Sequence, residues 1–240
     1  MTQILNIARR ELSSQFFSPI AYAVLGIFAL GTSLIFVIGY LGPGQPATLR
    51  GTFEWVVWLM IFLVPAISMR LISEEFRSGT FELLMTAPIT DADVIVGKWL
   101  GALGFFSTLL LPLIAMAVVL EFNASPDWGP IVSGLIGLVL VAGLYLAIGT
   151  FASTLTENQI IAFFVSVFVI VPITLVPIFV PRWTQLPPAV SKTILYLQIN
   201  AQYEPFGKGL LALPNVIYFA TGIALFLFLA IKTLESRRWR

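Results

Sequence analysis

The chain contains neither cysteine nor histidine. That excludes disulfides, thiolate or imidazole metal sites, and any catalytic dyad built on either side chain. Charge is also scarce: charged residues make up 10% of the 240 positions, against about 25% in globular chains. The net charge is +1 and no basic tract occurs, so nothing points to nucleic acid as a partner. There is no Gly-x-x-x-x-Gly-Lys-[Ser/Thr]; the nearest stretch, Phe206-Gly207-Lys208-Gly209, lacks the first glycine. The chain therefore has no P-loop of its own for ATP. The middles of its apolar runs hold no His, Asp or Lys, which leaves no nucleophile–base pair for intramembrane hydrolysis and no metal cluster.

What is abundant is apolar surface. Hydrophobic residues make up 58% of the chain, and the mean hydropathy is +0.96. Several apolar runs approach 20 residues, the length a helix needs to cross a bilayer. A transmembrane barrel would show alternating segments of about ten residues instead. The expected fold class is therefore an all-α membrane protein, a single transmembrane domain over 1–240. Six spans fall at 19–41, 53–72, 94–120, 131–151, 160–180 and 215–234, after an interfacial amphipathic helix within 1–18. A polar loop occupies 73–90, and a semi-apolar segment 181–214 precedes the sixth span.

Local chemistry supports these boundaries. In residues 2–17, Ile4, Leu5, Ala8, Leu12 and Phe16 share one side at helical spacing, while Arg9, Arg10, Glu11 and Ser13 fall largely on the other. This predicts a helix lying in the interface with its basic side toward headgroups. Ser18-Pro19 breaks it. Trp55 and Trp58 are expected as interfacial anchors of the second span, and Pro65 inside that span should kink it. Thr90 followed by Asp93 reads as a capping box opening the third span. Thr156-Glu157-Asn158-Gln159 ends the very short connection before the fifth span and caps it. Gly97-x-x-x-Gly101 permits close helix approach, and packing within the chain is favoured over dimerisation. Glu54 and Glu121 lie near span ends, where interfacial carboxylates facing headgroups are the plainer reading and a coupling acid the weaker one.

Six spans put both termini on one side. Arg9, Arg10, Arg70, Arg77, Lys98, Lys232, Arg237, Arg238 and Arg240 lie on that side, and Arg50, Arg182, Lys192 and Lys208 on the other. The excess of basic residues places the termini and the loop after the second span in the cytoplasm of a multi-pass inner-membrane protein.

That loop is the most informative stretch. From Arg70 to Lys98 it carries eight of the 25 charged residues (13 basic plus 12 acidic). A charge at mid-membrane costs roughly 2.5–3.5 kcal/mol, so Arg70, Glu74, Glu75, Arg77 and Glu82 together would cost on the order of 12 kcal/mol there. They must lie outside the lipid. Phe81, Leu84, Met85 and Pro88 follow i, i+3, i+4, i+7, giving a short helix from near Thr80 one apolar face. Such a face needs a groove in a partner, or the membrane interface, to bury it.

The run from Pro65, P-x-x-x-M-R-L-x-S-E-E-x-R-S-G-T-x-E-L-L-x-T-A-P-I-T, resembles the hallmark of ABC-2-type transporter permeases. Supporting likenesses are Ser-Pro-Ile-Ala-Tyr after the N-terminal helix, Asp91 to Lys98 opening the third span, and Glu204-Pro-Phe-Gly-Lys-Gly209 with Tyr218 before the last. The family's usual histidine–phenylalanine pair is Gln202-Tyr203 here. The likeness covers nearly the whole chain and is nearest to the compact permeases associated with gliding-motility exporters. It implies the permease subunit of an ATP-binding cassette exporter, with no catalysis of its own. Such a subunit forms the pathway as a dimer with a second permease copy or paralogue. It sits on two copies of a separate ATPase subunit, which hold the ATP and magnesium, and accessory periplasmic or membrane subunits can join the complex. Glu74, Glu75, Arg77, Gly79, Thr80, Phe81, Glu82, Leu83, Leu84 and Met85 would then form a cytoplasmic coupling helix and its contact with the ATPase. Glu204, Phe206 and Gly209 would belong to short outer helices that close the pathway outside. The competing reading is an ATPase-coupled membrane anchor that transmits force to an envelope machine and moves no substrate.

Overall fold

The computed structural model describes residues 2–39, 48–80, 89–180 and 187–237. Among these residues the chain is helical throughout, with no strand. The helices in chain order are α1 (Thr2–Phe16), α2 (Pro19–Gly39), α3 (Arg50–Ser68), α4 (Ser73–Ser78), α5 (Asp91–Leu109), α6 (Leu111–Asn123), α7 (Trp128–Leu155), α8 (Gln159–Phe179), α9 (Pro188–Tyr196), α10 (Ile199–Gly207) and α11 (Leu213–Arg237). Six stretches are long and apolar enough to cross a membrane: α2, α3 with α4, α5 with α6, α7, α8 and α11.

Several helix ends follow the chemistry of their sequences. Thr90 Oγ1 accepts from Asp93 N at 3.1 Å, and Thr90 N donates to Asp93 Oδ2 at 3.1 Å. This is the expected capping box, and it satisfies donors that the first turn of α5 would leave orphaned. Asn158 Oδ1 caps α8 by accepting from Ile160 N and Ile161 N. Residues 94–120, expected as one span, lie within one apolar stretch that divides at Leu110 into α5 and α6. Pro112 has no N–H and sits in the first turn of α6, so the ladder restarts there.

The centre of the bundle is α7. It packs against α3, α5, α8, α10 and α11, and most of its length is buried. Glycines permit this crowding: a Cβ at Gly149 would collide with the Ser68 side chain of α3. By contrast α2, α8 and α11 bury little of their apolar surface within the chain, as membrane-facing helices do.

The N-terminal helix is the main departure from expectation. Its inward stripe runs through half-buried Ile7 and buried Glu11 and Gln15, and it lies against α5 instead of resting only on headgroups. A Cβ at Gly97 would stand 2.8 Å from Ile7 Cβ, and one at Gly101 only 2.6 Å from Glu11 Cβ and 2.7 Å from the Ala8 carbonyl oxygen. The Gly97-x-x-x-Gly101 pair is therefore used within the chain, as the seat of α1. Arg9 and Arg10 stay exposed, but Glu11 turns inward. A carboxylate on that stripe needs a cation waiting for it.

Candidate functional site

The cation is Lys98, about two turns into α5. Its Nζ lies 3.0 Å from Glu11 Oε2 of α1 and 2.9 Å from Glu75 Oε1 of α4. The three side chains are 8%, 10% and 13% exposed, respectively. Glu11 Oε1 also accepts from Gln15 Nε2 at 3.1 Å. Glu75 Oε2 is buried and has no hydrogen-bond partner among the described residues. The cluster carries two carboxylates on one ammonium, and Arg10 adds positive charge near Glu75. Beside it opens a cleft of ≈ 260 Å³ lined in part by Arg10, Arg70, Glu74, Glu75 and Thr80. Arg70 closes its rim by donating from Nη2 to the Ser14 carbonyl at 3.1 Å.

Glu75 belongs to α4, and the rest of α4 is held equally firmly. Ser153 Oγ of α7 accepts from both Ile72 N and Ser73 N, each at 2.9 Å, and its hydroxyl donates to the Met69 carbonyl at 3.2 Å. Two of the N–H groups at the start of a short helix are thus satisfied from a neighbouring span. On the remaining side, the Arg237 guanidinium of α11 lies 4.5 Å from the centre of the Phe76 ring, a cation–π contact. Arg237 Nη2 also donates to the Leu155 carbonyl at the end of α7, at 2.7 Å. Gly79 ends the helix in the left-handed region at φ 69°, where glycine carries no Cβ penalty.

Six residues of the loop can thus be placed. Glu75 faces inward to α1 and α5. Glu74, Arg77, Gly79 and Thr80 are exposed, with the Thr80 hydroxyl 2.8 Å from that of Ser78, and Phe76 lies under Arg237. Phe81, Glu82, Leu83, Leu84 and Met85, which carry the predicted apolar face, lie outside the described residues. Sequence reasoning missed Glu11, Lys98, Ser153 and Arg237 as partners of this helix. The inverted polarity of α1, with a carboxylate and an amide at the i, i+4 positions Glu11 and Gln15, was the available signal.

The other end of the bundle holds α10, beside the start of α3. Arg50 pairs with Glu54 at 3.3 Å and with Glu204 at 3.6 Å, and Lys208 pairs with Glu204 at 2.6 Å. The Lys208 hydrogen bond and charge, helped by Arg50, hold the Glu204 carboxyl below the usual carboxylate range. Phe206 is fully buried beside Gly137 of α7, and its carbonyl accepts from Ser133 Oγ at 2.6 Å. Burial pushes the Tyr203 hydroxyl up, so it remains a neutral donor to the Gly134 carbonyl at 3.3 Å. Gly209, at φ 89°, ends α10 in a Schellman motif: Leu210 N donates to Pro205 O and Gly209 N to Phe206 O. Of the three outer residues singled out in the sequence, Glu204 alone lines a cleft; Phe206 anchors α10 and Gly209 terminates it.

Among the described residues there is no group of His, Cys, Asp and Glu able to hold a metal. Six helices long and apolar enough to cross a bilayer, with a short polar helix braced against four others, have the architecture of a multi-pass membrane protein. Residues 50–232 match the family described as ABC-2 family transporter protein, and the chain belongs to that family. It is also 30% identical over 107 residues to the probable ABC transporter permease protein NosY of Stutzerimonas stutzeri. That alignment takes in 42% of this chain and 39% of the relative, so it spans well under half of either protein. The family supplies the membrane component of ABC transporters, which is not itself catalytic.

Proposed function

We propose that this protein is the permease subunit of an ATP-binding cassette exporter in the inner membrane, with both termini in the cytoplasm. In this reading it works as a dimer of permeases coupled to two copies of a separate ATPase subunit, which bind the ATP and magnesium. One observation carries the coupling role. The inner side of α4 is tied to α1 and α5 through Lys98, to α7 through Ser153 and to α11 through Arg237, while Glu74, Arg77, Gly79 and Thr80 on its outer side face solvent. A force applied to the exposed side of such a helix is delivered to several spans at once, because packed interiors transmit displacement with little compliance. In this reading the apolar residues that follow in the sequence, Phe81, Leu84 and Met85, are the ones that enter a groove on the ATPase. The basic residues on the α4 side support a cytoplasmic placement.

The experiment is co-purification with a co-expressed ATP-binding subunit, followed by ATPase measurement in liposomes. Arg77→Ala and Leu84→Ala should each weaken co-purification and lower the stimulated ATPase rate, with helix content unchanged. If both variants bind and stimulate like the parent, the 73–90 loop is not the coupling element. ATPase stimulation without vectorial movement of any cargo would point to an ATPase-coupled anchor instead of an exporter.

A further inference from the structure

The α10 end contains a cleft of ≈ 430 Å³ between α3 and α10, lined by residues that include Arg50, Glu54, Trp58, Asn200, Tyr203 and Glu204. Its size falls in the range of about 300–1,000 Å³ usual for small-molecule sites. The ion-paired groups Arg50, Glu54, Glu204 and Lys208 sum to zero charge, since two cations face two carboxylates. Neither a net anion nor a net cation is favoured there, whereas a zwitterion finds both of its partners. Asn200 Oδ1 is buried and lacks a hydrogen-bond donor among the described residues, and a buried acceptor left unpaired is costly. The missing group is a donor. Below the cleft, one face of α3 runs from exposed Trp55 through half-buried Trp58 and Leu59 to exposed Phe62, at the spacing of a single helix stripe. A polar pocket at the head of an apolar stripe has the layout of a lipid site.

We propose that this cleft binds the headgroup of an ethanolamine phospholipid. The phosphate pairs with Arg50, and the ammonium donates to Asn200 Oδ1 and Glu54. Trp58 offers its ring to the ammonium, and an acyl chain follows the Trp55–Phe62 stripe. Choline carries no N–H and cannot satisfy Asn200; phosphatidylglycerol brings a net negative charge that the balanced cleft does not match.

The test is native mass spectrometry of the purified full chain titrated with dioleoyl phosphatidylethanolamine, phosphatidylcholine and phosphatidylglycerol. Phosphatidylethanolamine should bind roughly tenfold more tightly than phosphatidylcholine, the equivalent of one charge-assisted hydrogen bond. Asn200→Leu and Glu54→Gln should erase that preference, while Asn200→Asp, which keeps an acceptor at the same place, should retain it. The far-UV circular dichroism melt of each variant, and the intact preference in Asn200→Asp, separate lost recognition from lost folding. Equal binding of ethanolamine and choline lipids would overturn the proposal. So would equal binding of phosphatidylglycerol, or an unchanged preference in Asn200→Leu. Displacement of the lipid by an equal concentration of glycerophosphoethanolamine would assign the cleft to a soluble amine phosphate and overturn the lipid assignment. A lipid-free dimer as the bound form would show that a second copy covers this face.

Discussion

Replacing Lys98 with methionine isolates the energetics of the cluster beneath α4. Methionine matches the length of the lysine stem but removes the ammonium, so Glu75 Oε1 and Glu11 Oε2 lose partners at 2.9 and 3.0 Å. Removing one partner of a buried ion pair costs about 3–5 kcal/mol, because the other charge remains buried without compensation. Two carboxylates are stranded here, which argues for the upper part of that range. The adjacent cleft admits water, however, and Arg10 stands near Glu75, so a loss of about 3 kcal/mol is expected. The two carboxylates are not equivalent. Glu11 keeps its bond from Gln15 Nε2, whereas Glu75 already has one oxygen without a partner among the described residues and now loses the partner of the other. Neutralising Glu75 should therefore rescue Lys98→Met better than neutralising Glu11. Chemical unfolding of the purified chain in detergent, followed by far-UV circular dichroism, measures all three variants. A loss under about 1 kcal/mol, typical of surface ion pairs, or a better rescue by Glu11→Gln than by Glu75→Gln, would refute the reasoning.

Three further outcomes follow from the same geometry. Ser153→Ala removes the acceptor shared by Ile72 N and Ser73 N and should cost about 1–3 kcal/mol; faster amide exchange at 72 and 73, with the middle of α7 unchanged, would locate the loss. Gly101→Val drives a branched side chain into Glu11 and the Ala8 carbonyl, so α1 should detach, seen as new protease cleavage within residues 2–16 while the six spans remain intact. At the α10 end, the lowered Glu204 pKa means that its contribution to stability is full above the ordinary glutamate value of about 4.3 and is lost as pH falls through the depressed value. Glu204 is largely exposed, so the effect is small. The melting difference between wild type and Glu204→Gln should be present at neutral pH and vanish in acid, and a difference that grows in acid would contradict the sign.

The sequence carries much of this architecture because a bilayer leaves few options. A run of some 20 apolar residues has to satisfy its backbone internally, so the helices, their number and several caps can be read from pattern and local chemistry. Thr90 with Asp93 and Asn158 are local devices of that kind, with partners one turn away. The brace around α4 is not local. Lys98 reaches Glu11 across 87 positions, and Ser153 meets Ile72 across 81. In α1 the stripe of Ile4, Ala8, Leu12 and Phe16 marks an apolar side, but the neighbouring Glu11 and Gln15 look solvated until a lysine on another helix is known to face them. Charge in a membrane chain is easily taken as a signal of water. Here several of the charges, Glu11, Glu75, Lys98 and Arg237 among them, instead hold helices to one another.

The seating of α1 also constrains how the chain is built. The N-terminal helix is synthesised before the third span, which carries both its glycine seat and the lysine that neutralises Glu11. Through the insertion of the first two spans, α1 has to wait at the membrane surface with Glu11 still hydrated. Its docking then reports that the third span has arrived in the correct orientation. A third span inserted upside down would carry Lys98 to the far side of the bilayer and leave the first helix unclaimed, and so recognisable to quality-control proteases.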